Sequence, residues 1–182
     1  KLNNNNLYMN GSYKGVFGEN WSISSGLSYT RDNSKIRIID DRINTLENSF
    51  HFKTKLKKNF NNRIKLSFGA EYFTTDFDEE FENPNVPKID YGFKSNLIGA
   101  FAETDIFFSK DFAMKAGIRL DHASLLEETT ISPRLSLAYK TSEKDQVSFA
   151  FGQFYQNPNN NYLKFNSVFK PESATHYILN YQ

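Results

Sequence analysis

The feature of this sequence that most restricts its fold is a regular alternation of apolar and polar residues. Over residues 112–121 every second side chain is apolar, as at Met114 and Ile118, and the residues between them include Lys115 and Arg119. A period of two places these two sets on opposite faces of a β-strand, and no segment shows the period of a helix. The same alternation recurs over residues 21–29, 64–72, 134–140 and 147–152.

Nine strands are predicted along the chain. Most are about 10 to 12 residues long, roughly twice the usual strand of a soluble sheet and close to the length that crosses a bilayer at a tilt. This length favours a barrel. The predicted strands cover residues 7–17, 21–31, 45–58, 63–74, 89–108, 112–122, 132–141, 146–156 and 173–182.

The predicted connections alternate strictly between short and long. Short polar turns opposite longer loops are typical of an antiparallel up-and-down transmembrane β-barrel, with short turns on the periplasmic side. Aromatic residues beside the short turns fit one interfacial girdle. They are Phe17, Trp21, Phe60, Phe107, Phe108 and Phe112. The predicted long loops cover residues 32–44, 75–88, 123–131 and 157–172.

Composition excludes several classes of protein. The chain has 22 basic and 21 acidic residues and a net charge of +1, so it lacks the basic patch that nucleic acid requires. It has no Cys and therefore no disulfide or thiolate metal site. Aromatic residues make up 16% of the chain, which argues against disorder. No apolar stretch is long enough for a transmembrane helix.

Several short motifs in the second half of the chain resemble one family of proteins. Residues 101–112 (FAETDIFFSKDF) and 116–121 (AGIRLD) look like a hairpin from the barrel of a TonB-dependent outer-membrane receptor. The order and spacing of the remaining motifs match the same barrels. The motifs are most similar to those of receptors of Bacteroidetes. These motifs are residues 132–139 (SPRLSLAY), 151–158 (FGQFYQNP) and 171–177 (PESATHY).

This resemblance implies a function and a set of partners. Such receptors import a scarce nutrient across the outer membrane of Gram-negative bacteria through a barrel of about 22 strands that surrounds a plug domain. The implied partners are outer-membrane lipid, the plug and remaining barrel of the same chain, and an inner-membrane energy-coupling complex.

The strand count suggests only part of such a barrel. Residues 1–182 have room for about nine strands and no recognisable plug, whereas bacterial single-chain barrels have an even number of strands. We therefore expect the chain to be a portion of a single, larger barrel domain. The alternatives are a small complete outer-membrane barrel and a soluble β-sandwich, either with an adhesin or structural role.

No motif supports catalysis or a cofactor. The histidines at positions 51, 122 and 176 lie on different predicted strands and lack the His, Cys or carboxylate spacing that marks a zinc site, and they are expected on the lumen face. No nucleophile elbow or phosphate-binding glycine loop is present. The chain is therefore predicted not to be an enzyme.

Two segments are candidates for binding. The acidic run at residues 76–82 lies in a predicted loop. Its members Asp76, Asp78, Glu79 and Glu80 could offer oxygens to Ca²⁺. A solvated loop tip is the simpler explanation. Residues 154–165 mix aromatic rings with amides, a chemistry suited to sugars or other neutral polar ligands. Ordinary loop formation also explains them. The substrate-binding candidates are Phe154, Tyr155, Gln156, Asn159 and Tyr162.

The two faces of each strand carry distinct expectations. Ile118→Arg on the lipid face is expected to cost roughly 2–4 kcal/mol, and Arg119→Ile on the lumen face is expected to be far milder apart from lost pairing. Charges on the lumen face are expected to pair with one another or to hold a plug. They are Lys53, Lys55, Lys65, Glu71, Glu103, Lys115, Arg119, Asp121 and Arg134.

Overall fold

A computed structural model describes residues 1–165 and 168–182 as an all-β structure with one short helix. The strands are β1 (Leu2–Phe17), β2 (Trp21–Ile38), β3 (Asp41–Asn59), β4 (Ile64–Asn83), β5 (Val86–Phe107), β6 (Phe112–Ala123), β7 (Glu128–Lys140), β8 (Gln146–Gln156) and β9 (Glu172–Tyr181). The helix α1 (Asn160–Leu163) lies between β8 and β9. Among the described residues no helix is both long and apolar enough to span a membrane.

The nine strands form a single antiparallel sheet in chain order, with β1 and β9 at opposite edges. This confirms the predicted all-β, up-and-down architecture with nine strands. The described part of the chain has no second sheet stacked on the first. It is therefore not the soluble β-sandwich that remained as an alternative.

The strand register gathers the predicted apolar faces onto one side of the sheet. Ile118 lies opposite Ala102, which in turn lies opposite Phe68 on β4. Phe68 lies opposite Leu56, and Leu56 opposite Ile23. Many side chains on this side are exposed, including Ile118 at 48%. A continuous exposed apolar face of this kind requires a nonpolar environment such as lipid.

Polar and aromatic side chains mark the two limits of this apolar band. At the end of the sheet that carries the β8–β9 connection, the hydroxyl of Tyr29 donates to Asn48 (3.1 Å) and that of Tyr72 donates to Asn96 (3.0 Å). At the opposite end the rings of Phe17 and Trp21 stack with centroids 6.0 Å apart. The band is about nine residues tall on each strand, which suffices for a tilted strand to cross a bilayer.

One member of the predicted girdle faces the other way. Phe107 lies opposite Ala113 on the inner side of the sheet, with the Lys65 ammonium 5.2 Å from its ring centroid. Phe112 faces outward as predicted and stacks on Phe108, with centroids 5.2 Å apart.

Three of the four predicted long loops are largely strand, so those predictions were wrong. The β2–β3 turn contains only residues 39–40, and the β4–β5 turn only residues 84–85. The β6–β7 turn contains residues 124–127. Above the apolar band both faces of a strand can be polar, so the alternation used to find strands fades while backbone pairing continues. Residues 157–171 alone remain a long connection.

Candidate functional site

The inner face of the sheet carries all nine of the charges predicted to line the lumen. The register places Lys53, Glu71 and Asp121 on this face, in a row that also contains Gly99. Small polar residues and glycines surround these charges, including Gly26 opposite Lys53. The inner face is thus a polar wall, opposite in character to the outer face.

An ion network occupies the middle of this wall. Arg119 donates from Nε and Nη2 to the two carboxylate oxygens of Asp121, both at 2.7 Å, and from Nη1 to Glu71 Oε2 at 2.7 Å. Their side chains are only 15–20% exposed. His51 Nε2 lies 2.6 Å from Glu71 Oε1, and Lys53 Nζ lies 3.7 Å from Glu71 Oε2. We call these five residues the inner ion network.

His51, Arg119 and His122 have contacts that the sequence alone does not show. His51 does have a carboxylate partner, Glu71, which the sequence could not show because the two residues are 20 positions apart and meet only through the strand register. Arg119 holds two carboxylates at once, so the lost pairing that the expectation for Arg119→Ile set aside involves both Glu71 and Asp121. The prediction that His122 faces the lumen was wrong, because position 122 continues the outward alternation of Ile118 and Leu120. His122 lies on the outer face, opposite Ile98, where its Nδ1 is 3.0 Å from the hydroxyl of Thr129.

Gly99 makes the inner ion network possible. Arg119 on β6 reaches Glu71 on β4 by crossing β5 at this glycine. A Cβ at position 99 would lie 2.5 Å from Asp121 Oδ1 and 2.7 Å from Arg119 Nη2. Any side chain there must therefore displace the network.

We expect Gly99→Val to lower the free energy of unfolding by about 1–3 kcal/mol through overpacking and loss of ion pairing. Gly26→Val is the matched control, because Gly26 lies on the same face and its added Cβ would meet only Gly11 O at 3.8 Å. Urea unfolding in lipid vesicles measures both changes. Equal stability of the two variants would contradict the role given to Gly99.

The connection between β8 and β9 folds inward over the same wall. Asn160 Nδ2 donates to Glu47 Oε2 on β3 at 3.1 Å, and Lys164 Nζ donates to Glu79 Oε1 on β4 at 2.6 Å. Lys164 and Glu79 are 12% and 11% exposed. Leu163 is buried, and the ring of Phe165 lies edge-on to Tyr91 with centroids 5.0 Å apart.

A pocket of about 350 Å³ lies between this inward-folded segment and the wall. It is bordered by Arg119 and Asp121 of the inner ion network and by Phe73 on β4. Gln156 and Asn160 border it from the β8 side. The charged groups at its base are already paired with each other, so amides and aromatic rings supply the remaining recognition chemistry.

The structure separates the five predicted ligand-binding residues. Tyr155 and Gln156 border the pocket, but the Tyr155 side chain is on the outer face, where its hydroxyl accepts from Gln153 Nε2 at 2.8 Å. Phe154 lies elsewhere, with its ring centroid 4.9 Å from the Arg134 guanidinium and 5.1 Å from the His176 ring. The side chain of Asn159 caps α1 by accepting from the N–H of Asn161 at 2.9 Å. Tyr162 is 63% exposed.

The acidic run lies on β4 and not on a loop, contrary to the prediction. Its alternation places Asp76, Asp78 and Glu80 on the outer face and Glu79 on the inner face, where Glu79 binds Lys164. The four carboxylates therefore do not converge on one point. Within residues 1–165 and 168–182 no group of three or more acidic, His or Cys residues is arranged to hold a metal ion.

Sequence reasoning missed the residues that anchor the inward-folded segment. Asn160 and Lys164 bind carboxylates 113 and 85 positions earlier in the chain, and no local pattern indicates such pairs. Phe77 and Phe93 on the inner face, stacked with centroids 5.2 Å apart, were also missed. Their signal was present, because Asp76, Phe77 and Asp78 alternate with a period of two.

A single antiparallel sheet with an exposed apolar outer face and a charged inner face defines part of an outer-membrane β-barrel wall. A family model described as "TonB dependent receptor-like, beta-barrel" matches residues 1–179. The chain belongs to this family of outer-membrane receptors, which places it in the outer membrane of Gram-negative bacteria. No curated protein matches its sequence significantly.

Solved structures share the fold at low sequence identity. The alcaligin outer membrane receptor FauA of Bordetella pertussis has a TM-score of 0.79 and 12% identity over 99% of this chain and 34% of its own. The copper transporter OprC has a TM-score of 0.82 and 12% identity, covering 97% of this chain and 36% of its own. The ferric-catecholate import receptor Fiu of E. coli has a TM-score of 0.72 and 9% identity, with coverages of 99% and 38%.

The chain thus spans about a third of the length of these structures. The family is one of receptors and transporters, in agreement with the prediction that the chain is not an enzyme. The suggested kinship with receptors of Bacteroidetes stays a prediction.

Proposed function

We propose that this chain forms part of the wall of a receptor that imports a scarce nutrient through the barrel interior. The observation that carries this proposal is the β8–β9 connection, which folds inward over the polar wall and is fixed to β4 by the Lys164–Glu79 ion pair. It bounds a pocket on the polar inner face, where a solute crossing the barrel must pass. Family membership supports the same role.

The chemistry of the pocket favours a neutral, polar solute such as a saccharide. Gln156 and Asn160 offer amide donors and acceptors, and Phe73 offers flat apolar surface. Arg119 and Asp121 neutralise one another, and Glu128, which also borders the pocket, has Lys170 Nζ 3.8 Å from its carboxylate, so each charge in the lining has a partner of opposite sign. Of the residues first predicted from sequence, Gln156 is the proposed ligand contact.

The proposed partners of the wall are the remaining barrel and a plug of the same polypeptide, with an inner-membrane energy-coupling complex acting through the plug. The low coverage of the similar structures motivates this proposal, because roughly two thirds of their length has no counterpart in residues 1–182. In this arrangement residues 1–182 belong to one barrel domain. The exposed backbone edges of β1 and β9 then pair with further strands.

Gln156→Ala is the direct test of the pocket. We expect it to reduce saccharide uptake at limiting concentration about tenfold, which corresponds to the loss of one ligand hydrogen bond. Uptake is measured with radiolabelled saccharides in cells whose only copy of the gene is the variant. The saccharide panel is first screened for a solute whose uptake at limiting concentration depends on this gene.

Gln146→Ala provides the control, because Gln146 lies on the same strand at the opposite end and remote from the pocket. It is expected to leave uptake unchanged. If no saccharide depends on the gene, the proposed substrate class is wrong. If both variants reduce uptake equally, the pocket is not the binding site.

A further inference from the structure

Above the apolar band, the outer faces of β2 and β4 carry charges of opposite sign. Arg31, Lys35 and Arg37 face outward on β2 and are exposed, and we call them the basic row. The outward residues of β4 at this height are all acidic, and we call them the acidic row. They are Asp76, Asp78, Glu80 and Glu82.

The two rows do not pair with each other within one chain, because β3 lies between them and separates them by about 10 Å. In the part of the chain that the structure describes, no carboxylate lies within 4.0 Å of the cationic group of any member of the basic row. No cationic group there lies within 4.0 Å of Asp76 or Asp78. The outer surface is therefore a dipole, with its positive side on β2 and its negative side on β4.

Basic residues beside the acidic row offset only part of its charge. Arg42 on β3 lies 3.9 Å from Glu82, and Lys88 on β5 pairs with Glu80. Lys94 lies on the same face of β5, which also carries Asp90. The five carboxylates of β4 and β5 thus exceed the two lysines of β5, and the negative side of the dipole persists.

Uncharged side chains lie at the centre of the dipole. Leu46 faces outward on β3, with Asn44 and Asn48 as its outward neighbours on the same strand. Across the strand register, Leu46 lies between Asn33 on β2 and Asp78 on β4, which are the middle positions of the two charged stretches. A centre without charge can lie against an identical centre of another molecule at no electrostatic cost.

We propose that this dipole is a contact between two copies of the receptor in the outer membrane. All copies insert in one orientation, so the twofold axis of a symmetric pair must be parallel to the membrane normal. An axis through Leu46 places β2 of each copy against β4 of the other and brings each basic row to the acidic row of the second copy. Complementary charges of this kind select the partner and fix its register. The contact is on the opposite face of the sheet from the solute pocket and is independent of it.

The tilt of the strands preserves this charge match. Strands of outer-membrane barrels tilt by about 35–45°, and β2 and β4 each lie about 4.8 Å from β3. In the symmetric pair, β2 of one copy therefore crosses β4 of the other about one residue above or below the level of Leu46. One direction of tilt brings Lys35 toward Asp76 and Asp78, and the other brings Arg31 toward Asp78 and Glu80. Opposite charges meet at the crossing in both cases.

Disulfide cross-linking of the full-length gene product in outer-membrane vesicles tests the position of the axis. Residues 1–182 contain no Cys, and any cysteine elsewhere in the gene product is first replaced by Ser. A residue on a twofold axis lies beside its own counterpart, and a disulfide requires Cα atoms about 4.4–6.8 Å apart. We therefore expect Leu46→Cys to give a dimer on oxidation. Ser173→Cys is the matched control, because Ser173 is exposed on the same face of β9, six strands away, and it is expected to stay monomeric.

Charge reversal in the Leu46→Cys protein tests the two rows. One variant reverses the basic row with Arg31→Glu, Lys35→Glu and Arg37→Glu, and the other reverses three acidic residues with Asp76→Lys, Asp78→Lys and Glu80→Lys. Each variant replaces attraction with repulsion on both sides of the axis, so we expect the cross-linked fraction to fall about tenfold. Two differently tagged variants produced in the same cells are expected to cross-link with each other. A single chain with all six reversals is expected to cross-link with itself.

Several outcomes would overturn the proposal. They are a missing dimer at position 46, equal cross-linking at positions 46 and 173, and a cross-link from position 46 to a different protein. Reversed variants that cross-link like their parent, or that do not recover when combined, would overturn it as well. Heat-modifiable migration on gels confirms folding.

Salt replaces the reversals if a reversed variant does not fold. Ions screen exposed charges beyond about 10 Å at 0.1 M and beyond about 3 Å at 1 M. The cross-linked fraction of Leu46→Cys, purified and inserted into lipid vesicles, is therefore expected to fall about threefold between these two salt concentrations. An unchanged fraction overturns the proposal.

Discussion

Arg119→Met is expected to lower the free energy of unfolding by about 2–4 kcal/mol. Methionine keeps most of the volume of arginine but leaves Glu71 and Asp121 without their shared cation. Removing one member of a buried ion pair typically costs about 3–5 kcal/mol, and the remaining exposure of 15–20% at these side chains places the expected value somewhat lower. Urea unfolding in lipid vesicles, followed by tryptophan fluorescence, measures the change.

Arg134→Met is the matched control for this prediction. Arg134 lies on the same inner face, is exposed, and contacts the ring of Phe154 at 4.9 Å without a carboxylate partner among the described residues. Its replacement is expected to cost less than about 1 kcal/mol. A double variant, Arg119→Met with Asp121→Asn, is expected to be less destabilised than the sum of its parts. Equal costs for the two arginines would show that the inner ion network contributes no stability.

The membrane-spanning part of the fold follows from local sequence patterns. β8 was predicted at residues 146–156 and has those bounds, because its alternating residues lie between lipid and a polar interior. Above the band the contrast is reversed on β4, where Phe77 and Phe81 face inward and Asp76, Asp78 and Glu80 face outward. Interpreting alternation only as apolar outside and polar inside therefore ended β4 about nine residues too early.

The candidate site was harder to predict because its contacts depend on register and on the path of the chain. The pairing of Arg119 with Asp121 is visible in the sequence as two residues on one face of a strand. The pairing of Arg119 with Glu71 requires the alignment of three strands and a glycine between them. The Lys164–Glu79 contact further requires the β8–β9 connection to cross the interior. No local residue pattern contains that information.

The outward direction of the apolar face leads to the second large expected effect. Ile118 lies near the middle of the apolar band on β6 and is 48% exposed on the outer face. An arginine at the midplane of the lipid face of a barrel costs about 2–4 kcal/mol, and the cost falls to about 0–1 kcal/mol near the interface. We therefore expect Ile118→Arg to lower the free energy of unfolding by about 2–4 kcal/mol.

His122→Arg is the matched control, because His122 lies on the same strand and face, four residues closer to the rim. It is expected to cost no more than about 1 kcal/mol.

A large loss at position 118 alone does not distinguish lipid from a packed protein core, since both exclude charge. A spin label at Cys-substituted position 118 makes the distinction. Because a lipid-facing label meets molecules dissolved in the bilayer, we expect strong relaxation by oxygen and little by a water-soluble nickel complex. The opposite ranking, or protection from both, would mean that this face does not contact lipid.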